Sequence, residues 1–324
     1  QLYHNTIAYM PVDISIVVPL YNEEESLPEL VDWIERVCAE HGYAHEVIMV
    51  DDGSTDSSWN VVKQLSEEYT AVRGIKFQRN YGKSAALNEG FKAAKGNVVI
   101  TMDADLQDSP DEIPELYRMI TVEGFDLVSG WKKVRHDNAL TKNLPSKLYN
   151  GVNRWISGIK LHDMNCGLKS YNRKVVKSIE VYGEMHRFIP VLAKAAGFRK
   201  IGEKVVVHRA RKYGVSKFGW ERFINGFLDL LSIQFISRFG KKPMHFFGLL
   251  GTLTFLFGFI AIIYLLIGRI MGGVDFGLTS KVSFYLAMTA MVIGTQFFLA
   301  GFLGELISRN AADRNHYLIE ETLK

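Results

Sequence analysis

Two carboxylates two residues apart close a short apolar run, in the stretch VVITMDAD that ends at Asp103 and Asp105. On a strand, that spacing puts both side chains on one face, where their charges repel. A hard divalent cation, with phosphate oxygens filling its remaining positions, relieves such crowding. An isolated Asp-x-Asp can equally be a strand end fraying into a polar turn, but this pair is not isolated. Tyr21, Asn22 and Glu23 follow one apolar run, Asp51, Asp52, Gly53 and Ser54 a second, and Arg79 and Asn80 a third.

The elements that carry these clusters alternate in type. Short β-rich runs at 14–19, 46–50, 72–77, 98–102 and 126–129 are separated by helical stretches at 27–40, 57–69, 83–95 and 110–121. Asp56 or Ser57 is placed to cap the second helix and Pro110 to open the fourth. This rhythm predicts a mostly parallel sheet with helices on both faces. Ligands of such sheets bind beyond the carboxyl ends of the strands, where all four clusters fall, so the chain reads as holding one nucleotide-handling site. Two familiar phosphate loops are absent. No Gly-x-Gly-x-x-Gly follows the first strand, and Gly82-Lys83-Ser84 resembles the tail of a P-loop but has Phe77 where the motif needs glycine. Lys83 can still meet a phosphate, or be an exposed lysine at a helix start.

The net charge of +3 conceals a segregation. Residues 1–130 carry 9 Lys/Arg against 23 Asp/Glu, residues 131–193 carry 12 against 4, and residues 194–242 carry 12 against 3. An acidic front half suits a metal-dependent site, and the basic segment behind it suits an anion. That segment runs straight into membrane-type sequence, which argues against nucleic acid. Cys38 and Cys166 lack metal-ligand spacing and read as free thiols in a reducing compartment. Residues 1–11 read as a leader. Two uncharged stretches, 246–267 and 282–303, are each long enough to cross a ~30 Å hydrocarbon core. Arg238, Lys241, Lys242, Arg309 and Arg314 flank their outer ends against Arg269 and Lys281 between them, so the positive-inside rule puts both termini in the cytoplasm. A multi-pass protein of the inner, cytoplasmic membrane is expected.

In order, Pro19-Leu20-Tyr21-Asn22-Glu23, Asp51 to Ser54 with Asp56, Asn80-Tyr81-Gly82-Lys83, Asp103-Ala104-Asp105-Leu106-Gln107 with Pro110, Asp163 ahead of Cys166-Gly167, Arg211-x-x-Gly-x-Ser-Lys217 and the paired spans cover nearly the whole chain. Together they resemble the family-two glycosyltransferases with the Rossmann-like GT-A fold. The likeness is to the polyprenyl-phosphate branch, which includes dolichol-phosphate mannose synthase and the bactoprenol glucosyltransferases. The resemblance implies that Pro19, Tyr21 and Glu23 line a nucleoside pocket, with Asp52 or Asp51 on the base or ribose and Lys83 at the phosphates. It implies that Asp103, Asp105 and Gln107 hold Mg²⁺ or Mn²⁺ against the donor diphosphate. Asp163 occupies the position of the family's candidate base. A polyprenyl phosphate, with a second pKa of about 6, hardly needs deprotonating, so Asp163 can instead orient the acceptor or stabilise an oxocarbenium-like centre, or be only a turn residue. Arg211 and Lys217, then Arg209, His208 and Arg135, are the expected cations for the acceptor phosphate. The other reading of 209–217 is a solvated or lipid-facing basic loop.

Glu184, His186 and Arg187 are expected to border the sugar or acceptor, or to be salt-bridged scaffolding. Relatives carry an arginine soon after the fifth strand; here Lys132, Lys133 or Arg135 would substitute, in a polar stretch suited to a flap over the donor. The Gln-x-x-Arg-Trp of processive synthases is not reproduced by Gly151 to Trp155, which points to a single transfer. The expected organisation is a catalytic domain at 12–215, interfacial amphipathic helices at 216–243, a two-helix membrane hairpin at 244–304 and a cytoplasmic tail at 305–324 that can join subunits of a homo-oligomer. The implied reaction is inverting transfer of one sugar from a nucleotide-diphosphate sugar, a UDP-sugar before GDP-mannose, to undecaprenyl or dolichyl phosphate. Its product would be a lipid-linked donor for cell-envelope glycan modification. The alternatives are a membrane-anchored glycosyltransferase with another lipid or glycan acceptor, and a non-catalytic nucleotide-sugar-binding scaffold.

Overall fold

Apolar residues on both faces of the central strands build the sheet. Along β1 (Ile14–Leu20), Ile14, Ile16, Val18 and Leu20 enter one hydrophobic layer and Val17 the other. In β2 (His45–Asp51), Val47 and Met49 part from Ile48 and Val50 in the same way, and in β4 (Val98–Thr101) Val98 and Ile100 part from Val99. Strands buried on both faces need helices on both sides. α1 (Leu27–His41), α2 (Ser58–Glu68) and α4 (Ile113–Thr121) cover the first layer. α3 (Lys83–Ala93), α5 (Arg173–Ser178) and α6 (Ile189–Ala195) cover the second.

The computed structural model describes residues 12–133, 158–209, 212, 243–272, 281–310 and 319–323. Its sheet has the order β7-β5-β6-β4-β1-β2-β3-β8, completed by β3 (Val72–Phe77), β5 (Leu127–Trp131), β6 (Lys169–Asn172), β7 (Ile201–Val205) and β8 (Ile319–Thr322). β1 pairs in parallel with both β2 and β4, and β2 with β3, so the strand order reverses at β1 and opens a crevice at that carboxyl edge. β6 runs antiparallel between β4 and β5, β7 parallel to β5, and β8 antiparallel to β3. The five expected strands and four expected helices are present with small shifts at their ends. Ser57 sits at the cap position of α2 without a side-chain cap bond, while Asp56 accepts from the Ser58 amide at 3.0 Å. Pro110 opens a 3-10 turn, Pro110–Glu112, ahead of α4.

The chain divides into two units, one comprising residues 1–233 with 315–324 and the other residues 234–314. The second holds α7 (Pro243–Gly272) and α8 (Val282–Asn310), which contain the expected spans. The two helices pack on each other through glycines seven residues apart. A Cβ on Gly251 would lie 2.5 Å from the Gly294 carbonyl oxygen, and one on Gly258 2.5 Å from that of Ala287. Small residues that let backbones approach are the usual device of helix pairs in lipid. The outer faces are apolar and uncovered: within the spans Met244–Met271 and Val282–Gly304 only 17% of the most apolar window is buried, whereas a core helix of a soluble protein is mostly buried. The expected leader at 1–11 and the amphipathic stretch at 216–242 lie outside the described residues.

Candidate active site

The loops beyond β1 and β2 are zipped together. Asn22, at φ 56°, accepts from the Thr55 amide at 2.9 Å and its own amide donates to Ser54 Oγ at 2.9 Å. The Glu23 amide donates to Ser58 Oγ at 2.9 Å. This arrangement fixes Pro19, Tyr21 and Glu23 at one lip of the crevice, with Tyr21 38% exposed. Asp51 Oδ1 accepts from the Ser54 amide and hydroxyl at 2.9 and 2.5 Å, and its buried Oδ2 has no hydrogen-bond partner. Asp52 ties two loops together: its oxygens accept from the amides of Tyr81 at 2.7 Å and Gly82 at 2.9 Å. Burial pushes its carboxyl up to about 6 against those bonds. Gly53, at φ 71°, makes the close approach possible, since a Cβ there would sit 2.4 Å from the backbone of Arg79.

The Asp-x-Asp loop leaves β4 through Met102 and turns at Leu106, whose φ of 60° is rare for a branched residue. That turn folds Gln107 back so that its amide donates to Asp105 Oδ1 at 3.2 Å. Asp103 is ion-paired with Lys83, the first residue of α3. Burial would raise its carboxyl, but the ammonium groups of Lys83, Lys132 and Lys169 outweigh burial and bring it down to about 2. Lys132 pairs at 2.8 Å with the buried Asp108, and Lys169 donates to the carbonyl of Cys166 from β6, where it stands opposite Thr101. Gly167 closes the cradle: a Cβ there would lie 2.4 Å from Asp103 Oδ2. Among the described residues no group of three or more His, Cys, Asp or Glu side chains could cage an ion. Two carboxylates and an amide on one tight loop fit instead a hard cation that takes its other ligands from phosphate.

Asp163 lies in a turn preceding Cys166 and Gly167. It is 2% exposed, and its Oδ1 accepts from the Asn165 amide at 3.1 Å. Glu203 of β7 holds the turn, accepting from the backbone amides of His162 and Asp163 at 2.7 and 3.1 Å and meeting His162 Nδ1 at 2.7 Å. The His162 ring stacks on Trp131 with centroids 4.2 Å apart. His186 belongs to the 3-10 turn Met185–Phe188, docked on α3 through Ser84: its amide and its Nδ1 each lie 3.0 Å from Ser84 Oγ. Burial pushes its imidazole well below the ordinary histidine range. Arg187 pairs with Glu184 at 3.2 Å, so two members of that cluster serve each other.

The chain returns to the Asp-x-Asp loop at 208–209: His208 bridges Asp108, and the Arg209 amide donates to the Gln107 carbonyl at 3.0 Å. The Arg209 guanidinium itself lies over the Trp33 ring at 4.1 Å and 3.9 Å from Asp111. Arg135, Arg211 and Lys217 lie outside the described residues. The edge thus gathers Asp103, Asp105, Gln107, Lys83 and Asp163, with Asp51 and Asp52 in the supporting loops. Lys169 and Glu203 were missed by sequence reasoning, because each is a single charged residue in a strand without an apolar run.

Residues 15–180 match the glycosyl transferase family 2 domain. The chain is 37% identical over 300 residues to dodecaprenyl-phosphate galacturonate synthase of Rhizobium johnstonii, covering 92% of this chain and 88% of that protein. It is 35% identical over 315 residues to undecaprenyl-phosphate 4-deoxy-4-formamido-L-arabinose transferase of Shewanella sediminis, covering 96% and 92%. In fold it is similar to glucosyl-3-phosphoglycerate synthase from Mycobacterium tuberculosis, crystallised with Mn²⁺, UDP and glucosyl-3-phosphoglycerate, at a TM-score of 0.54, 19% identity, and 70% and 80% coverage. With the family's domain matched over half of this chain and relatives at 37% and 35% identity covering 92% and 96% of it, this chain belongs to glycosyl transferase family 2.

Proposed function

We propose that the protein transfers one sugar, with inversion, from a nucleotide-diphosphate sugar to a polyprenyl phosphate at the cytoplasmic face of the membrane, a uridine donor being preferred. The observation that carries this reading is that likeness to two polyprenyl-phosphate enzymes runs through the apolar helices as well as the catalytic sheet. A lipid-linked phosphate lies at headgroup level, so an enzyme that uses it must hold its site there.

Pro19, Tyr21 and Glu23 receive the nucleoside, with Asp51 behind them. Asp103, Asp105 and Gln107 would hold Mg²⁺ or Mn²⁺, which when bound acts as a Lewis acid toward the departing diphosphate. Asp163, fixed through its backbone and shielded from water, orients the acceptor oxygen or stabilises positive charge at the sugar carbon. The acceptor needs no base, because a phosphate with a second pKa of about 6 is already largely dianionic. Arg211, Lys217, Arg209 and Arg135 are the cations assigned to that phosphate. A hairpin with both ends on one side of the bilayer is supported by β8, which follows α8 in the chain and pairs with β3 of the catalytic sheet. In the proposed organisation, residues 12–215 form the catalytic domain, 216–243 lie along the interface, 244–304 form the hairpin, and the tail at 305–324 returns to the catalytic sheet through β8 rather than being free to join subunits.

The direct test incubates the detergent-purified full chain with radiolabelled nucleotide sugars, undecaprenyl or dolichyl phosphate, and Mn²⁺ or Mg²⁺. Label is expected in the organic phase with one donor and is expected to vanish with chelator. Nucleotide binding without any lipid label would refute the polyprenyl acceptor. The turn carrying Asp163 gives a second expectation. Glu203→Ala should lower kcat by roughly 10–100-fold, because small misplacements of a reacting group are costly, with donor KM nearly unchanged. Glu203→Gln keeps an oxygen for the two amides and should recover much of the rate. Equal kcat in all three proteins would remove Glu203 from the positioning of Asp163.

A further inference from the structure

Three ammonium groups surround Asp103, and they are not equivalent. Lys132 is nearly buried and committed to Asp108 at 2.8 Å, and Lys169 is 3% exposed and bonded to the Cys166 carbonyl. Lys83 differs in both respects: it bonds the Asp103 carboxylate itself, and its side chain is 35% exposed. Its backbone is anchored, since Asp52 holds the Gly82 amide and Ser84 holds the turn at His186, so only the flexible four-carbon stem is free to swing.

We infer that Lys83 is a displaceable counter-cation of Asp103, which keeps the carboxylate pair unattractive to a free divalent ion until a nucleoside diphosphate draws the ammonium away. The inference rests on the assignment of Asp103 and Asp105 to the metal. An ion arriving alone must expel Lys83 from Asp103, and among the described residues no third His, Cys, Asp or Glu side chain completes a cage to offset that loss. A diphosphate reverses these conditions. Its negative charge gives Lys83 a new partner, and it supplies oxygens to the metal. Metal and nucleotide therefore bind with positive coupling, and the coupling is reciprocal.

The test measures Mn²⁺ binding to the full chain in detergent, by the electron paramagnetic resonance signal of free Mn²⁺, with and without UDP. UDP binding is measured separately without metal. Lys83→Met is expected to bind Mn²⁺ alone roughly tenfold more tightly than wild type and UDP alone roughly tenfold more weakly, effects of opposite sign within the usual range of coupling. Lys83→Arg, which keeps the charge, is expected to stay near wild type. Unchanged or weaker Mn²⁺ binding in Lys83→Met would overturn the inference, as would wild-type Mn²⁺ affinity indifferent to UDP. None of these readouts involves a lipid acceptor. Failure here leaves the transfer reaction standing, and absence of lipid label from wild type would sink the transfer reaction without touching this result.

Discussion

Asp105→Asn is expected to lower sugar transfer by about 10²–10³-fold while nucleotide binding persists, the scale seen when a preorganised charge interaction is taken from a transition state. The amide keeps the shape of the side chain and can still accept from the Gln107 amide, so the loop with its unusual Leu106 should hold. Only the charge is lost. Asp103→Asn should be at least as damaging to turnover, yet with a different signature. It leaves Lys83, Lys132 and Lys169 around a neutral residue, and with no metal present a more positive site should hold a nucleoside diphosphate as well as wild type or better. Comparing kcat with UDP affinity in the two variants therefore separates a metal role from a general electrostatic one. Turnover within threefold of wild type in Asp105→Asn would dismiss Asp105 as a metal ligand.

The parts of this site that were legible in the sequence share one physical origin. A strand buried on both faces must be a continuous apolar run, and polar residues that stop such a run mark its carboxyl end. Asp51, Asp103 and Tyr21 could be placed on one edge for that reason alone. What stayed hidden depends on residues distant in sequence. β6 reads Lys-Ser-Tyr-Asn, an unpromising strand, and buries its lysine only because Asp103, Asp163 and the Cys166 carbonyl surround it. Asp52, expected at the base or ribose, also ties its loop to the amides at 81 and 82, and β7 supplies Glu203 from an edge strand of middling burial. Gly82-Lys83-Ser84 lacks the leading glycine of a P-loop, and its neighbours engage its polar groups: the Gly82 amide donates to Asp52 and the Ser84 hydroxyl meets His186 Nδ1. The two long apolar helices were legible as composition, whereas the glycine seam at 251, 258 and 294 became visible only once the helices were paired.

Gly167→Ala should silence the enzyme without unfolding it. The residue has no special backbone angle to preserve; it is glycine because the Asp103 carboxylate fills the space of a side chain, with Oδ2, Cγ and Oδ1 at 2.4, 2.6 and 2.7 Å from where a Cβ would be. The backbone has little freedom to retreat, since the Gly167 carbonyl accepts from Thr101 Oγ1 at 2.8 Å and thereby ties the turn to β4. Asp103 is the partner that must give way. It is partly exposed and held chiefly by Lys83, so moving it disturbs the reacting geometry more than the core. A displacement of about 1 Å predicts a fall in kcat of about 10²-fold. Gly130→Ala makes the contrasting control. A Cβ there would meet Cys166 Sγ at 2.8 Å and the Leu168 carbonyl at 3.0 Å, inside the packed layer, and overpacking of that kind costs about 1–3 kcal/mol. Thermal unfolding and initial rates measured on the same preparations should therefore dissociate: Gly167→Ala with a near-normal Tm and little turnover, Gly130→Ala with a lowered Tm. Wild-type turnover in Gly167→Ala would mean that Asp103 can shift without consequence, and its fixed position would then have no part in the chemistry.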